Sequence, residues 1–211
     1  MTVTVRSLSI AGVFLFACGA PMHAQHGGAR RGFWAGLGLA YGSARFLCDT
    51  CTSRSRLGGY AAAGEFGWTL SPHVQFGAEA RQWLNGLKQD RRLPVITSAA
   101  LLVVYYPRIR GGPFVEGAAG FSYYKLGKGT GDPIEPISKD TTYNSGHGWG
   151  SSLGVGWEFP WRGGWFTPRV IYAHGNEGML KGAGGGTLAS GWRQNVLLVE
   201  VGVRGGQSDP H

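Results

Sequence analysis

The chain has 211 residues, 38 of them glycine, together with 8 Trp, 8 Tyr and 10 Phe, and carries a formal net charge of +8. The length fits one domain, the aromatic content excludes disorder, and the glycines keep no three-residue period, which excludes a collagen-like rod. The positive balance asks for an acidic partner, but Arg54, Arg56, Arg91, Arg92, Arg108, Arg110 and Arg193 are scattered instead of forming one basic stripe, so nucleic acid is not expected.

The chain opens Met1-Thr-Val-Thr-Val-Arg6, continues with an apolar run from Leu8 to Ala17, and reaches Ala20-Pro-Met-His-Ala24, the layout of a secretory signal cleaved after residue 24. The run of about ten residues is too short to cross a bilayer as a helix, which takes about twenty. Leu15-Phe-Ala-Cys18 offers lipidation at Cys18 as the alternative to ordinary cleavage. Loss of Arg6, the one charged residue in the segment, leaves a mature chain at +7, and lipopolysaccharide phosphates are the expected acidic counterpart of an exported protein.

Side chains alternating with period two place strands near 32–43, 57–70, 73–84, 94–106, 113–125, 148–159, 165–174 and 191–204. In the first, Phe33, Ala35, Leu37, Leu39 and Tyr41 share one face, and Gly36, Gly38, Ala40 and Gly42 share the other. The second repeats the division, with Tyr60, Ala62, Phe66 and Trp68 against Gly59, Ala61, Ala63, Glu65 and Gly67. The sixth opposes Trp149, Leu153, Val155, Trp157 and Phe159 to Gly150, Ser152, Gly154, Gly156 and Glu158. The second face is too small and too sparsely charged for a solvated surface. An all-β, eight-stranded, antiparallel up-and-down transmembrane barrel accounts for it, with the greasy face on lipid and the small residues inside a narrow lumen. A soluble lipocalin-type barrel is the alternative and puts the bulky residues inside.

All five Asp fall in loops or the tail, whereas Glu65, Glu79, Glu116, Glu158 and Glu200 fall inside strands on the inward face. Arg81, Arg169 and Arg204 share that face. A buried carboxylate without a partner costs several kcal/mol, so a lumen network of Glu–Arg pairs is expected. Aromatics near strand ends suggest two interfacial girdles. One holds Phe33, Trp34, Trp68, Tyr105, Tyr106, Phe114, Trp161, Trp165 and Phe166; the other holds Tyr41, Tyr60, Trp83, Tyr123, Tyr124, Trp149, Tyr172 and Trp192.

Three connections are short, at Ser71-Pro72-His73, Pro107 to Gly112 and Pro160 to Gly164, and four are long, at 44–56, 85–93, 126–147 and 175–190. Short periplasmic turns and long external loops put both termini in the periplasm. Cys48 and Cys51 are the two thiols of the mature chain, in the first external loop, and a disulfide is the default for an exported protein. No zinc or thioredoxin-like context surrounds them, and no metal or cofactor site is expected.

Tyr172-Ala-His174-Gly-Asn176-Glu177 at the end of the seventh strand resembles the His-x-Ser-Asn motif of lipid A 3-O-deacylases, but Gly175-Asn176 follows His174 directly and the serine is missing. His174 is therefore read as an interfacial residue, and His147 likewise. A lipid A-modifying enzyme using His174 remains an alternative that needs a serine from elsewhere, such as Ser190, and a carboxylate. Gly182 to Gly186 reads as a flexible loop because no GK[ST] follows it.

Gly32-Phe-Trp-Ala-Gly-Leu-Gly-Leu-Ala-Tyr-Gly-Ser43, the loop cysteine pair and Gly64-Glu-Phe-Gly-Trp-Thr-Leu-Ser-Pro72 together resemble the broad family of small OmpA/OmpX-like outer-membrane barrels. The resemblance covers residues 25–204 and implies the fold and an outer-membrane location, followed by a polar tail at 205–211. It departs from the family in ending on Val201-Gly-Val-Arg204 and that tail instead of an aromatic residue. The expected role is non-enzymatic: a monomeric structural or surface-interaction barrel, its external loops the interaction surface and outer-membrane lipid its surroundings. A narrow channel for ions or small solutes is the second alternative.

Overall fold

A computed structural model describes residues 30–49, 56–86, 92–129, 137–161 and 164–208. The expected signal segment and Cys51 lie outside these residues. Eight strands run in chain order: β1 (Arg30–Leu47), β2 (Leu57–Ser71), β3 (Val74–Leu84), β4 (Arg92–Tyr105), β5 (Gly112–Gly129), β6 (Ile137–Trp161), β7 (Gly164–Gly182) and β8 (Thr187–Ser208). Each pairs antiparallel with its sequence neighbours, and β8 pairs with β1 to close the barrel.

The register fixes the geometry of the cylinder. Stepping from Gly36 across partners Glu65, Glu79, Ala100, Gly120, Gly150, Gly175 and Gln194 returns to β1 at Phe46, ten residues further along. A stagger of ten over eight strands corresponds to a tilt of about 40°, within the range for small closed barrels. At that tilt each residue climbs roughly 2.5 Å along the axis, so about ten to twelve residues cross the apolar band.

The two faces divide as the alternation requires of a membrane barrel. Leu39, Phe121, Leu153 and Val199 are exposed at 69 %, 79 %, 72 % and 62 %, values that fit side chains facing lipid and contradict a lipocalin-type interior. Glycines stand inward where large side chains need room. Gly36 leaves space for the Glu65 carboxylate, since a Cβ there would sit 2.6 Å from Oε1, and Gly154 does the same for Glu116 at 2.8 Å. Gly67 and Gly77 face each other across β2 and β3, and a Cβ on Gly67 would lie 2.6 Å from the Gly77 Cα.

Two expectations are corrected. The segments 126–147 and 175–190 are largely strand: β6 has 25 residues and β8 has 22, about twice the ten to twelve that span an apolar band. These strands continue the sheet well past the level reached by β3, which has 11 residues. Polar residues such as Thr142, Asn144 and Ser145 broke the greasy alternation and so read as loop. Similarly, β8 runs past Arg204 to Ser208, pairing with Arg30 and Trp34 at the start of β1.

The second correction concerns the girdles. Trp34, Tyr106 and Phe114 at one end, and Trp83, Tyr124 and Trp192 at the other, are buried inside the lumen. Phe33, Trp68, Tyr105, Trp161 and Phe166 remain outward at the first end, and Tyr41, Tyr60, Tyr123, Trp149 and Tyr172 at the second, with Tyr41 and Tyr60 in edge contact at 5.3 Å.

Candidate functional site

The lumen is filled in layers. At the end nearer the chain termini, Trp34, Leu102, Val104, Tyr106, Phe114 and Ala118 form an apolar collar. Arg30 lies against it with its guanidinium 3.7 Å from the centre of the Tyr106 ring, a cation–π contact. Its Nε and Nη2 donate to Glu158 Oε2 at 3.1 and 2.5 Å, and Nη1 donates to the carbonyls of Arg108 and Ile109. The Tyr106 hydroxyl stands 2.7 Å from Glu158 Oε1 and 2.9 Å from Gln75 Oε1, and accepts from Arg204.

Above the collar the eight residues expected in the lumen meet in one network. Arg204 donates to Glu65 Oε1 through Nε and Nη2 at 3.0 and 2.8 Å and reaches Glu158 at 3.4 Å. Arg169 donates to Glu65 at 3.1 Å, to Glu116 at 2.8 Å, and to Glu200 through Nε at 2.9 Å. Arg81 bridges Glu79 at 3.2 Å and Glu200 at 3.4 Å. Every one of these side chains is at least 95 % buried. Charge-assisted bonds from several arginines to each carboxylate offset the desolvation of the ions.

Beyond the ions lies a cavity of about 40 Å³ walled by small residues including Ser98, Ser122, Gly150, Ser152 and Gly175. That is room for a few waters, not for a solute. Ser122 Oγ donates to Glu177 Oε1 at 2.7 Å and accepts from Gln194 Nε2 at 2.8 Å. Phe46, Trp83, Tyr124 and Trp192 close the far end, with ring centroids 5.0–6.3 Å apart.

Sequence reasoning missed Arg30, Tyr106 and Glu177. Arg30 precedes the expected first strand, and Glu177 fell in a segment read as loop. Tyr106 directly follows β4, a strand apolar on both faces where alternation gives no sign of direction.

His174 stands on the outer wall. Its Nδ1 lies 2.7 Å from Asn195 Oδ1, and the Trp149 ring meets it edge-on with centroids 5.7 Å apart. The register sets Asn195 opposite it on β8 and Ser151 opposite it on β6. Its polar partner is thus a carboxamide, where the enzyme alternative had asked for Ser190 and a carboxylate. Ser190 belongs to a different contact, its carbonyl accepting from the Asp49 amide at 3.2 Å. Cys48 packs against the aromatic cluster at the far end of the lumen. Among the described residues no group of three or more His, Cys, Asp or Glu is arranged to hold a metal ion.

No protein-family model matches this chain, and no curated protein matches it. Solved structures do. Ail, the attachment invasion locus protein of Yersinia pestis, crystallised with the heparin analogue sucrose octasulfate, superposes with a TM-score of 0.54 at 11 % identity, over 82 % of this chain and 99 % of that one. Neisserial surface protein A gives 0.52 at 14 % identity, over 83 % and 97 %. At these identities the likeness establishes the fold, that of the small eight-stranded outer-membrane barrels.

Proposed function

We propose that this chain is an integral barrel of the bacterial outer membrane, sealed along its lumen, with termini in the periplasm and the tall β5–β8 wall presented outside the cell as an interaction surface. The observation that carries the reading is the stack of collar, ion network and aromatic closure, which fills the lumen among the described residues. The tall wall supplies the rest: β5 through β8 rise well past the apolar band and carry Lys125, Lys181 and Arg193, the last paired with Asp49 at 3.4 Å, with Met179 and Leu188 exposed among them. Cations at that height suit phosphate or sulfate groups, in lipopolysaccharide or in a surface glycan. The sulfated sugar held by Ail is of the same chemistry.

Planar-bilayer recording tests the sealed lumen. The folded protein is expected to give no steady current step, and a step of constant size would favour the narrow-channel alternative. Extraction into detergent from the outer-membrane fraction, with heat-modifiable gel migration, tests the location.

The reading includes a disulfide between Cys48 and Cys51, formed in an oxidising compartment. Alkylation of the denatured, unreduced protein should add no label at either position, and reduction beforehand should add two. Labelling without reduction would remove the crosslink.

A further inference from the structure

Among the described residues six glutamates but only four arginines are buried in the lumen. Glu65, Glu79, Glu116, Glu158 and Glu200 each meet at least one of those arginines. Glu177 of β7 is 3 % exposed and meets none of them. Its Oε1 accepts from Ser122 Oγ at 2.7 Å, and its Oε2 is buried without a partner among the described residues. Ser122 has one proton to give. With that proton on Glu177, the Gln194 atom 2.8 Å from the same hydroxyl is the donor Nε2, which leaves Gln194 Oε1 as an unused acceptor. That oxygen is likewise buried and unpartnered, and Gln194 lines the cavity beside Ser122 and Gly175. The three side chains, from β5, β7 and β8, converge over Gly175. A Cβ there would lie 2.7 Å from Ser122 Oγ, 2.7 Å from Gln194 Nε2 and 2.8 Å from Glu177 Oε1.

We propose that Glu177, Gln194 and Ser122, with the adjoining cavity, form a binding site for a small monovalent cation of the size of sodium. A carboxylate held away from water and from every arginine needs another positive charge to remain ionised. The ligands on offer are all oxygen, as a hard ion requires: Glu177 Oε2, Gln194 Oε1 and the second lone pair of Ser122 Oγ. One carboxylate among neutral oxygens matches a single positive charge, whereas divalent ions typically draw on several carboxylates or on phosphate. The cavity of about 40 Å³ has room for the waters that complete the shell, and the Ser98 and Ser152 hydroxyls on its wall give those waters partners. The same volume excludes a bulky organic cation. Arg81 also borders the cavity, but Glu79 and Glu200 neutralise it at 3.2 and 3.4 Å. Trp83, one of the rings that close the far end, borders it as well, so the ion lies between that closure and the arginine network.

The test uses the full mature chain folded in detergent, with sodium chloride exchanged for choline chloride at constant ionic strength so that screening is unchanged. The urea midpoint should rise with sodium, and sodium at about a hundred times its dissociation constant should shift the folding equilibrium about a hundredfold. Glu177→Gln buries no charge, so it should fold in choline at least as well as the wild type and show no response to sodium. Gly175→Ala keeps every ligand but fills the space over which they meet, and it should lose the response too. Equilibrium dialysis against radioactive sodium should retain one ion per wild-type barrel and none in Glu177→Gln. Equal wild-type midpoints in sodium and choline would mean that a proton neutralises Glu177, and would overturn the site. A sodium response that survives Glu177→Gln overturns it as well, and a response to calcium alone overturns the assignment of a monovalent ion. Should Glu177→Gln give no heat-modifiable band, Ser122→Ala replaces it: half-saturating sodium should rise several-fold, and an unchanged value overturns the proposal.

Discussion

Replacing Arg169 with Met should destabilise the folded barrel by about 3–5 kcal/mol, the range seen when one partner of a buried ion pair is removed. Arg169 donates to Glu65, Glu116 and Glu200, which come from β2, β5 and β8. Without it Glu65 keeps Arg204 at 2.8 Å and Glu200 keeps Arg81 at 3.4 Å, but Glu116 is left with Arg204 at 3.9 Å, beyond hydrogen-bond range. The loss is a desolvated carboxylate with nothing adequate to pair it. Adding Glu116→Gln to the same chain should recover part of the stability, because an amide in that place carries no charge to bury. Urea titration of the heat-modifiable gel shift measures both variants. A midpoint for Arg169→Met equal to that of the wild type would mean the network contributes nothing to the fold.

Leu39→Arg should cost about 2–4 kcal/mol in a bilayer, the price of a guanidinium near the midplane on the lipid face of a barrel. Leu39 is 69 % exposed in the middle of β1, and its row contains Val201 and Ala62. In water the same substitution on an exposed strand face would change stability by no more than about 0.5 kcal/mol. Leu188, exposed near the tip of the β7–β8 hairpin, supplies the control: Leu188→Arg should change stability by at most about 1 kcal/mol, since the cost falls with distance from the midplane. Refolding yield and urea midpoint in phospholipid vesicles distinguish the two positions. Equal, small effects at both would place Leu39 in water and end the membrane reading.

Much of this architecture is legible in the amino-acid order because one face of each strand is nearly featureless. A Glu among glycines and alanines, as at Glu65, Glu79 and Glu116, can face only inward, and the arginines of the same parity follow. Alternation misleads only where a second rule competes with it. Trp34 shares a face with Gly36 and Gly38, and Trp83 shares one with Glu79 and Arg81, yet their place near strand ends made them look like interfacial anchors. In a lumen lined by glycine those indoles are what fill the volume.

The ion pairs also bear on how the cylinder shuts. Glu65 belongs to β2 while Arg169 and Arg204 belong to β7 and β8, so these contacts span the seam between the first and last strands. In an open ribbon of eight strands neither arginine can meet Glu65, and both would wait half-solvated until β1 and β8 zip together. Docking the seam and latching the charges are then one event, which makes a partly curled intermediate poor in energy and gives the last step of assembly its all-or-none character.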